Sequence, residues 1–468
     1  MPDNEDLKSR VLRGGISLTI SQFVVAALSL SSVLVAARIL GPSNYGIVTV
    51  SFGIFYFLIF ILKLGMHVYL VQKPDLEESE TSQIQAFYAN SGFFICLFLW
   101  AIAPAAGWWT KQPEVTDAFR WLIPAVWINM VSSASISMLE RDVRFVEIGF
   151  IEAFSQSANY LLSILLVLSG WGYMSLIIGT VVRYVVLGLV AYFLHPVPWS
   201  WRWRWKVVEP ALRYGATYSV SDILISLKNL RVSLLVSRLV SVEAAGVVGI
   251  AIRLVEQLSM LRLILLRMSV SVMAKIRDEP EKVRRVISKG MAYQALLNGA
   301  ICALFSVVST WIIPLVFDER WLASASIFPF IATGALAIAI FDLHSSTLFA
   351  VGHNREVAVF NFIYVGVLWI LSSMLTSQLG IWGYGLSEVL ALPIFWMLHR
   401  SVAKIYGSPN YWNTLWIFLA TVVPLFSGIF LSPPVGAGVF VLSYGLLFYL
   451  CRNVRSQLLE LLAFKRFA

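Results

Sequence analysis

The sequence predicts an all-α integral membrane protein with about fourteen transmembrane helices, arranged as two parallel six-helix repeats forming two bundles plus a C-terminal helix pair. Three observations carry that prediction. Of the 468 residues, 59% are hydrophobic and only 13% charged, with a mean hydropathy of +0.78, more apolar surface than a soluble core can bury. Apolar runs of about 20 residues recur along the whole chain, the length that crosses about 30 Å of hydrocarbon as a helix. The first half of the chain is also echoed in the second.

Taken in order, the expected spans lie near 15–39, 46–70, 85–108, 119–139, 146–169, 172–194, 213–239, 246–273, 290–317, 322–349, 357–378, 382–399, 411–431 and 435–451. Each is bounded by polar residues or by Gly/Pro breaks. The start, with Lys8, Arg10 and Arg13 ahead of a run from Gly15 to Ala37, has the charge of a signal peptide, but its apolar part is too long for one. It reads as an uncleaved first span.

With the N-terminus inside, the cytoplasmic segments collect most of the Lys and Arg. Lys111, Arg120 and Arg320 are in outer loops, and Arg38 and Arg238 are at outer helix ends. The positive-inside rule therefore places both termini in the cytoplasm and accounts for the formal net charge of +9. A nucleic-acid partner would need those cations gathered on a soluble face, and none is expected. The run "PWSWRWRWK", Pro198 to Lys206, is the inner loop between spans six and seven, where indoles suit headgroup depth and Arg and Lys suit anionic membrane lipids.

Shifted by 200 residues, Leu12, Arg13, Gly15, Ser21, Arg38 and Gly46 match Leu212, Arg213, Gly215, Ser221, Arg238 and Gly246 without a gap, and Arg120-Trp121-Leu122 matches Arg320-Trp321-Leu322. At an offset of 211, Trp171-Gly172-Tyr173 matches Trp382-Gly383-Tyr384. Units of six spans enter the membrane in the same sense, giving parallel repeats about the membrane normal, a common plan for alternating access. The implied domains are a first bundle over 1–197, a cytoplasmic Trp/Arg linker over 198–211, a second bundle over 212–405, and a helix pair with its tail over 406–468.

Ionisable groups at bilayer depth are costly unless they face a partner or a wet cavity. In span seven Lys228, Arg231 and Arg238 share one helical face, and Asp222 points away from it. In span eight Arg253, Glu256 and Arg267 share a face while Arg262 points nearly opposite; an i,i+3 pair of Arg253 with Glu256 is the plainer reading of those two. The excess of positive charge over Glu256 makes Lys228, Arg231 and Arg253 candidates to line a basic cavity that takes a phosphate or diphosphate. Asp222, Glu256, Asp342 and Glu388 are candidate coupling or cavity acids, although capping and interhelical hydrogen bonds are the commoner fate of such groups. Lys63, His67, Glu152, Arg183 and His344 are similarly isolated within apolar runs.

No metal site, cofactor or catalytic residue is expected. Cys96, Cys302 and Cys451 form no CxxC, and GxxxxGK and HExxH are absent, so an ATP-driven motor or a zinc hydrolase has no support.

The stretch "ARILGPSNYG", Ala37 to Gly46, with "LGMHVYLVQ", Leu64 to Gln72, and "RDVRF", Arg141 to Phe145, resembles the bacterial polysaccharide transporter family. These are lipid-linked oligosaccharide flippases of the multidrug/oligosaccharidyl-lipid/polysaccharide exporter superfamily, and the likeness is to the exopolysaccharide, colanic-acid and teichuronic-acid branch. The resemblance implies a bacterial inner-membrane flippase carrying undecaprenyl-diphosphate-linked oligosaccharide from the cytoplasmic to the periplasmic leaflet for exopolysaccharide or lipopolysaccharide assembly. It also implies a polysaccharide polymerase and glycosyltransferases as partners. The rival readings are a multidrug exporter of the same superfamily, whose cavity would favour carboxylates, and a membrane-embedded ligase or polymerase, which would need larger outer loops. A scaffold recruiting glycosyltransferases through the Trp/Arg loop is a further alternative.

Overall fold

The computed structural model describes residues 4–455 apart from 201, 261, 263–268, 270, 271 and 452, and their side chains from Val25 onward apart from 217, 218, 220–222 and 225. Every described regular element is a helix, and 11 of them are long and apolar enough to cross a membrane. Large apolar side chains stay uncovered along these helices, Phe193 at 78% and Tyr449 at 80% exposure among them, as a lipid-solvated surface requires. The protein is a multi-pass membrane protein. It forms two compact units, Met1–Gly246 and Val247–Ala468.

In the first unit, α1 (Asn4–Leu62) holds the first expected span and the second as far as Leu62, joined across a kink at Gly41, and a turn at 63–65 breaks the second expected span before its end. Gly41 has φ 67° and ψ 175°, a backbone conformation essentially restricted to glycine, and Pro42 then starts the next helical stretch without needing its missing N–H. There follow α2 (Met66–Gln72), α3 (Glu78–Ile102), α4 (Pro104–Thr110), α5 (Pro113–Arg141), α6 (Phe145–Leu168) and α7 (Met174–Leu194). Next come α8 (Trp205–Arg231), a π-helical turn Val232–Val236, α9 (Ser237–Leu239) and α10 (Val242–Leu258), which runs past the unit's end.

The helix of α8 begins at Trp205, inside the stretch expected as linker, and α8 packs against α1, α2 and α3. Met66, Leu70, Ile84, Tyr88, Met130, Ala134 and Val208 form one buried core. Gly46 and Gly246, equated by the 200-residue offset, pack against each other. A Cβ on Gly46 would lie 2.0 Å from the Val242 carbonyl oxygen, and one on Gly246 would lie 2.9 Å from the Gly46 nitrogen.

The second unit contains α11 (Pro280–Val316), α12 (Leu322–Ala350), α13 (Asn354–Leu379), α14 (Ile381–Leu390), α15 (Trp396–Tyr406), α16 (Trp412–Phe430) and α17 (Pro433–Leu450). α11 packs along α12 and α16, and α16 along α17. The expected twelfth span is a broken one: Pro393 sits in a 3-10 turn, Leu392–Phe395, between α14 and α15. The expected seventh span includes side chains, and the eighth residues, outside those described, and the 11 are counted among the described residues alone.

Candidate functional site

Within the first unit, the cationic face of span seven takes shape at the end of α8. Lys228 and Arg231 occupy its last turn, one turn of helix apart. The Arg231 side chain is wholly buried, and its Nε donates to the Lys228 carbonyl oxygen at 3.0 Å. Such a group costs about 2.5–3.5 kcal/mol at a membrane centre on insertion scales, so its burial needs compensating contacts. The π-helical turn starts at the next residue, Val232. Wide turns of this kind re-aim the side chains that follow them and recur at functional sites. Asp222 lies among the residues whose side chains are outside those described.

A second charged set lies in the same unit. Arg183, on α7, stacks over the Tyr184 ring at 5.1 Å, and Glu152, Tyr56 and Tyr160 lie within its electrostatic reach. Glu140, on α5, is in the fields of Lys63 and Glu152. Lys63, Glu140, Glu152 and Arg183 are thus electrostatic neighbours in a chain. Sequence reasoning named three of them as isolated and missed Glu140, which sits beside Arg141 in the last turn of α5 and reads as an ordinary helix-end charge.

In the second unit, Arg253 pairs with Glu256 at 3.6 Å across one turn of α10, and both side chains are more than a third exposed. That pair constrains little. Asp342, on α12, is the strongly held acid: Arg262 grips it with both arms of its guanidinium, Nε to Oδ2 at 2.5 Å and NH2 to Oδ1 at 3.0 Å. Arg262 is the span-eight cation expected to point away from Arg253 and Glu256. Glu388, on α14, is buried, receives a long 3.5 Å contact from the Tyr364 hydroxyl, and lies against Gly334, where a Cβ would come within 2.8 Å of Oε2.

Close to the Arg262–Asp342 pair in sequence, His344 Nε2 meets the Tyr411 hydroxyl at 2.6 Å and His399 Nδ1 meets the same hydroxyl at 2.8 Å. No cluster of His, Cys, Asp and Glu suited to a metal occurs among the described residues. Lys228 with Arg231, Arg253 with Glu256, Asp342 with Arg262, and Glu388 with Tyr364 are therefore the groupings the fold makes of the predicted site residues.

The comparisons with known proteins agree with this architecture. Over 319 residues the chain is 23% identical to the lipopolysaccharide biosynthesis protein WzxC of Escherichia coli (strain K12), covering 67% of this chain and 65%, just under two thirds, of that relative. It is 21% identical over 371 residues to the teichuronic acid biosynthesis protein TuaB of Bacillus subtilis (strain 168), covering 77% of this chain and 76% of the relative. Among solved structures, the inward closed lipid II flippase MurJ superposes with a TM-score of 0.69 at 14% identity, over 93% of this chain and 98% of that one. An inward-facing multidrug resistance transporter of the MATE family gives 0.62 at 14% identity, over 81% and 95%. The fold is thus one shared with membrane transporters. Residues 35–326 match the model of one family, and by that match the chain belongs to the polysaccharide biosynthesis protein family.

Proposed function

We propose that the protein is a flippase for undecaprenyl-diphosphate-linked oligosaccharide repeat units, moving them from the cytoplasmic to the periplasmic leaflet of the bacterial inner membrane by alternating access. Both termini are cytoplasmic in this reading. Its carrying observation is that a polysaccharide biosynthesis family match and the fold of a lipid II flippase coincide on one chain. A prenyl diphosphate linked to sugar presents an apolar tail that lipid solvates, two or more negative charges, and a polar head that needs a wet path. Lys228 and Arg231 in the first unit, and Arg253 in the second, are the cations assigned to the diphosphate. Arg231, rigid and always charged, suits the phosphate oxygens, and Lys228 adds a mobile point charge. Asp222, Glu256, Asp342 and Glu388 are the acids from which a coupling site would be drawn. A polymerase and glycosyltransferases are the proposed partners.

Charge reversal tests the assignment. In cells, Lys228→Glu combined with Arg253→Glu is expected to abolish export while the protein still inserts to wild-type level. Full export by that double variant would remove the diphosphate site. The MATE-like fold also supports a multidrug exporter. That reading predicts efflux of organic cations, with loss of export on neutralising Glu388 but not on reversing Lys228.

A further inference from the structure

The segment that joins α7 to α8 is built as a strap packed against α3 and α5, and its features do not depend on what the protein transports. Val197 is buried among Ile84, Phe87 and Met130. The Trp199 indole lies edge-on to Trp127 at 6.5 Å, and Trp127 in turn donates its ring N–H to the Ala89 carbonyl oxygen at 2.9 Å. The Trp203 ring packs at right angles onto Phe87 at 5.1 Å, and the Arg204 backbone N–H donates to Gln83 Oε1 at 2.9 Å.

Trp203 and Arg204 pin the strap to α3 between Phe87 and Gln83, positions about 6 Å apart along the helix axis at ~1.5 Å per residue. Its turn is closed by Ser200, whose Oγ donates to the Arg202 carbonyl oxygen at 2.9 Å and accepts from the Arg202 N–H at 3.1 Å. Backbone groups satisfied by Ser200 and Gln83 are what a segment entering a poorly hydrated layer needs.

The Trp203 indole packs on Phe87, the Trp199 indole meets Trp127 while staying 43% exposed, and the side chains of Arg202, Arg204 and Lys206 are exposed. No acid pairs with any of them among the described residues. Neighbouring cations are already engaged. Lys73 is held by Glu80 at 2.6 Å and Arg213 by Glu209 at 3.1 Å, while the Arg141 guanidinium donates to the carbonyl oxygens of Lys73 and Pro74 at 2.6 and 2.8 Å. Arg202 and Arg204, on a strap pinned by aromatic rings, and Lys206, in the first turn of α8, are therefore exposed cations with no acid beside them among the described residues.

We propose that this strap, with the first turn of α8, is a binding site for the phosphate headgroup of an anionic glycerophospholipid, held by Arg202, Arg204 and Lys206. The chemistry is charge complementarity with a lipid phosphodiester, which Arg meets with two parallel donors. Each cation near an anionic surface contributes about fivefold in affinity, so the three together give on the order of 100-fold preference over a zwitterionic lipid.

The test uses the full chain in detergent micelles, following its melting temperature while phosphatidylglycerol, phosphatidylcholine or undecaprenyl phosphate is added. The expected result is a saturable rise with phosphatidylglycerol that phosphatidylcholine does not give, weakened in high salt. The variant R202Q/R204Q/K206Q should melt as the wild type does without lipid and need about 100-fold more phosphatidylglycerol for the same rise, and R202K/R204K should keep most of the response. An unchanged phosphatidylglycerol response in the neutralised variant would overturn the site. So would a response to undecaprenyl phosphate alone, which would make the strap a cargo contact instead. If the triple variant misfolds, R202Q alone carries the test, with a loss of about fivefold expected and no loss refuting it.

Discussion

Neutralising Asp342 separates a structural ion pair from a coupling site. The carboxylate keeps 11% of its side-chain exposure and Arg262 27%, and two short hydrogen bonds join them. Removing one partner of a buried pair leaves the other charge uncompensated and costs about 3–5 kcal/mol. Because Arg262 keeps partial contact with its surroundings, the lower end of that range, about 3 kcal/mol, is expected for Arg262→Met, and about 2 kcal/mol for Asp342→Asn, whose amide oxygen can still accept one bond. The double variant R262M/D342N removes both charges together and should cost under about 1 kcal/mol, a coupling of roughly 4 kcal/mol in the cycle.

At ~2.1 cal/mol/K per residue, 468 residues give an unfolding entropy near 1 kcal/mol/K, so 3 kcal/mol appears as about 3 °C if the chain melts as one, and roughly twice that if the second unit melts by itself. Melting in detergent, read by fluorescence, measures it. Single and double variants that all melt within about 0.5 °C of the wild type, with transport lost in D342N, would refute the pairing and make Asp342 the group that couples transport.

Other outcomes follow from the same geometry. Gly46→Ala drives a methyl to 2.0 Å from the Val242 carbonyl oxygen, which is backbone and cannot swing aside, so a loss of about 3 kcal/mol or more and poor accumulation in the membrane are expected. Gly438→Ala, on α17, meets nothing within 4 Å and should leave stability unchanged or raise it by about 0.5–1 kcal/mol; equal behaviour of the two variants in a melting series would sink the close-packing account. Tyr411→Phe deletes the hydroxyl shared by His344 and His399 and strands the wholly buried His344 ring, with a cost of about 1–3 kcal/mol measurable by melting; no change would mean that the histidines are satisfied elsewhere. Trp203→Ala removes the ring packed on Phe87 and should raise proteolytic cutting near residue 200, whereas uncut protein would show the strap to be held by other contacts.

Much of the architecture is readable from local pattern. Run length and Gly41-Pro42 locate the first two spans and the kink between them, because a glycine-only backbone conformation and a proline without an N–H leave few alternatives. Pairing across the fold is not local. Arg262 and Asp342 are separated by 80 residues, and helical-wheel geometry states only that Arg262 faces away from Arg253, not what it meets. Glu140 on α5 joins Glu152 on α6 and Lys63 in the turn between α1 and α2, three segments that no periodicity connects. The π-helical turn after Arg231 depends on tertiary contacts and has no composition signature; Ser233 within it lies where a Cβ on Gly53 would fall. The Trp/Arg run carries no local sign of the contacts of Trp199 with Trp127 and of Trp203 with Phe87, which lie on separate helices.

The measurement that bears most directly on the central claim is the leaflet in which lipid-linked repeat units accumulate when the gene is removed, read with a membrane-impermeant sugar-modifying reagent on intact spheroplasts. The flippase account predicts glycolipid that builds up shielded from the reagent on the inner leaflet, and becomes accessible again when the wild-type chain is restored. Repeat units that reach the outer leaflet yet stay unpolymerised would contradict it and point to a step after translocation.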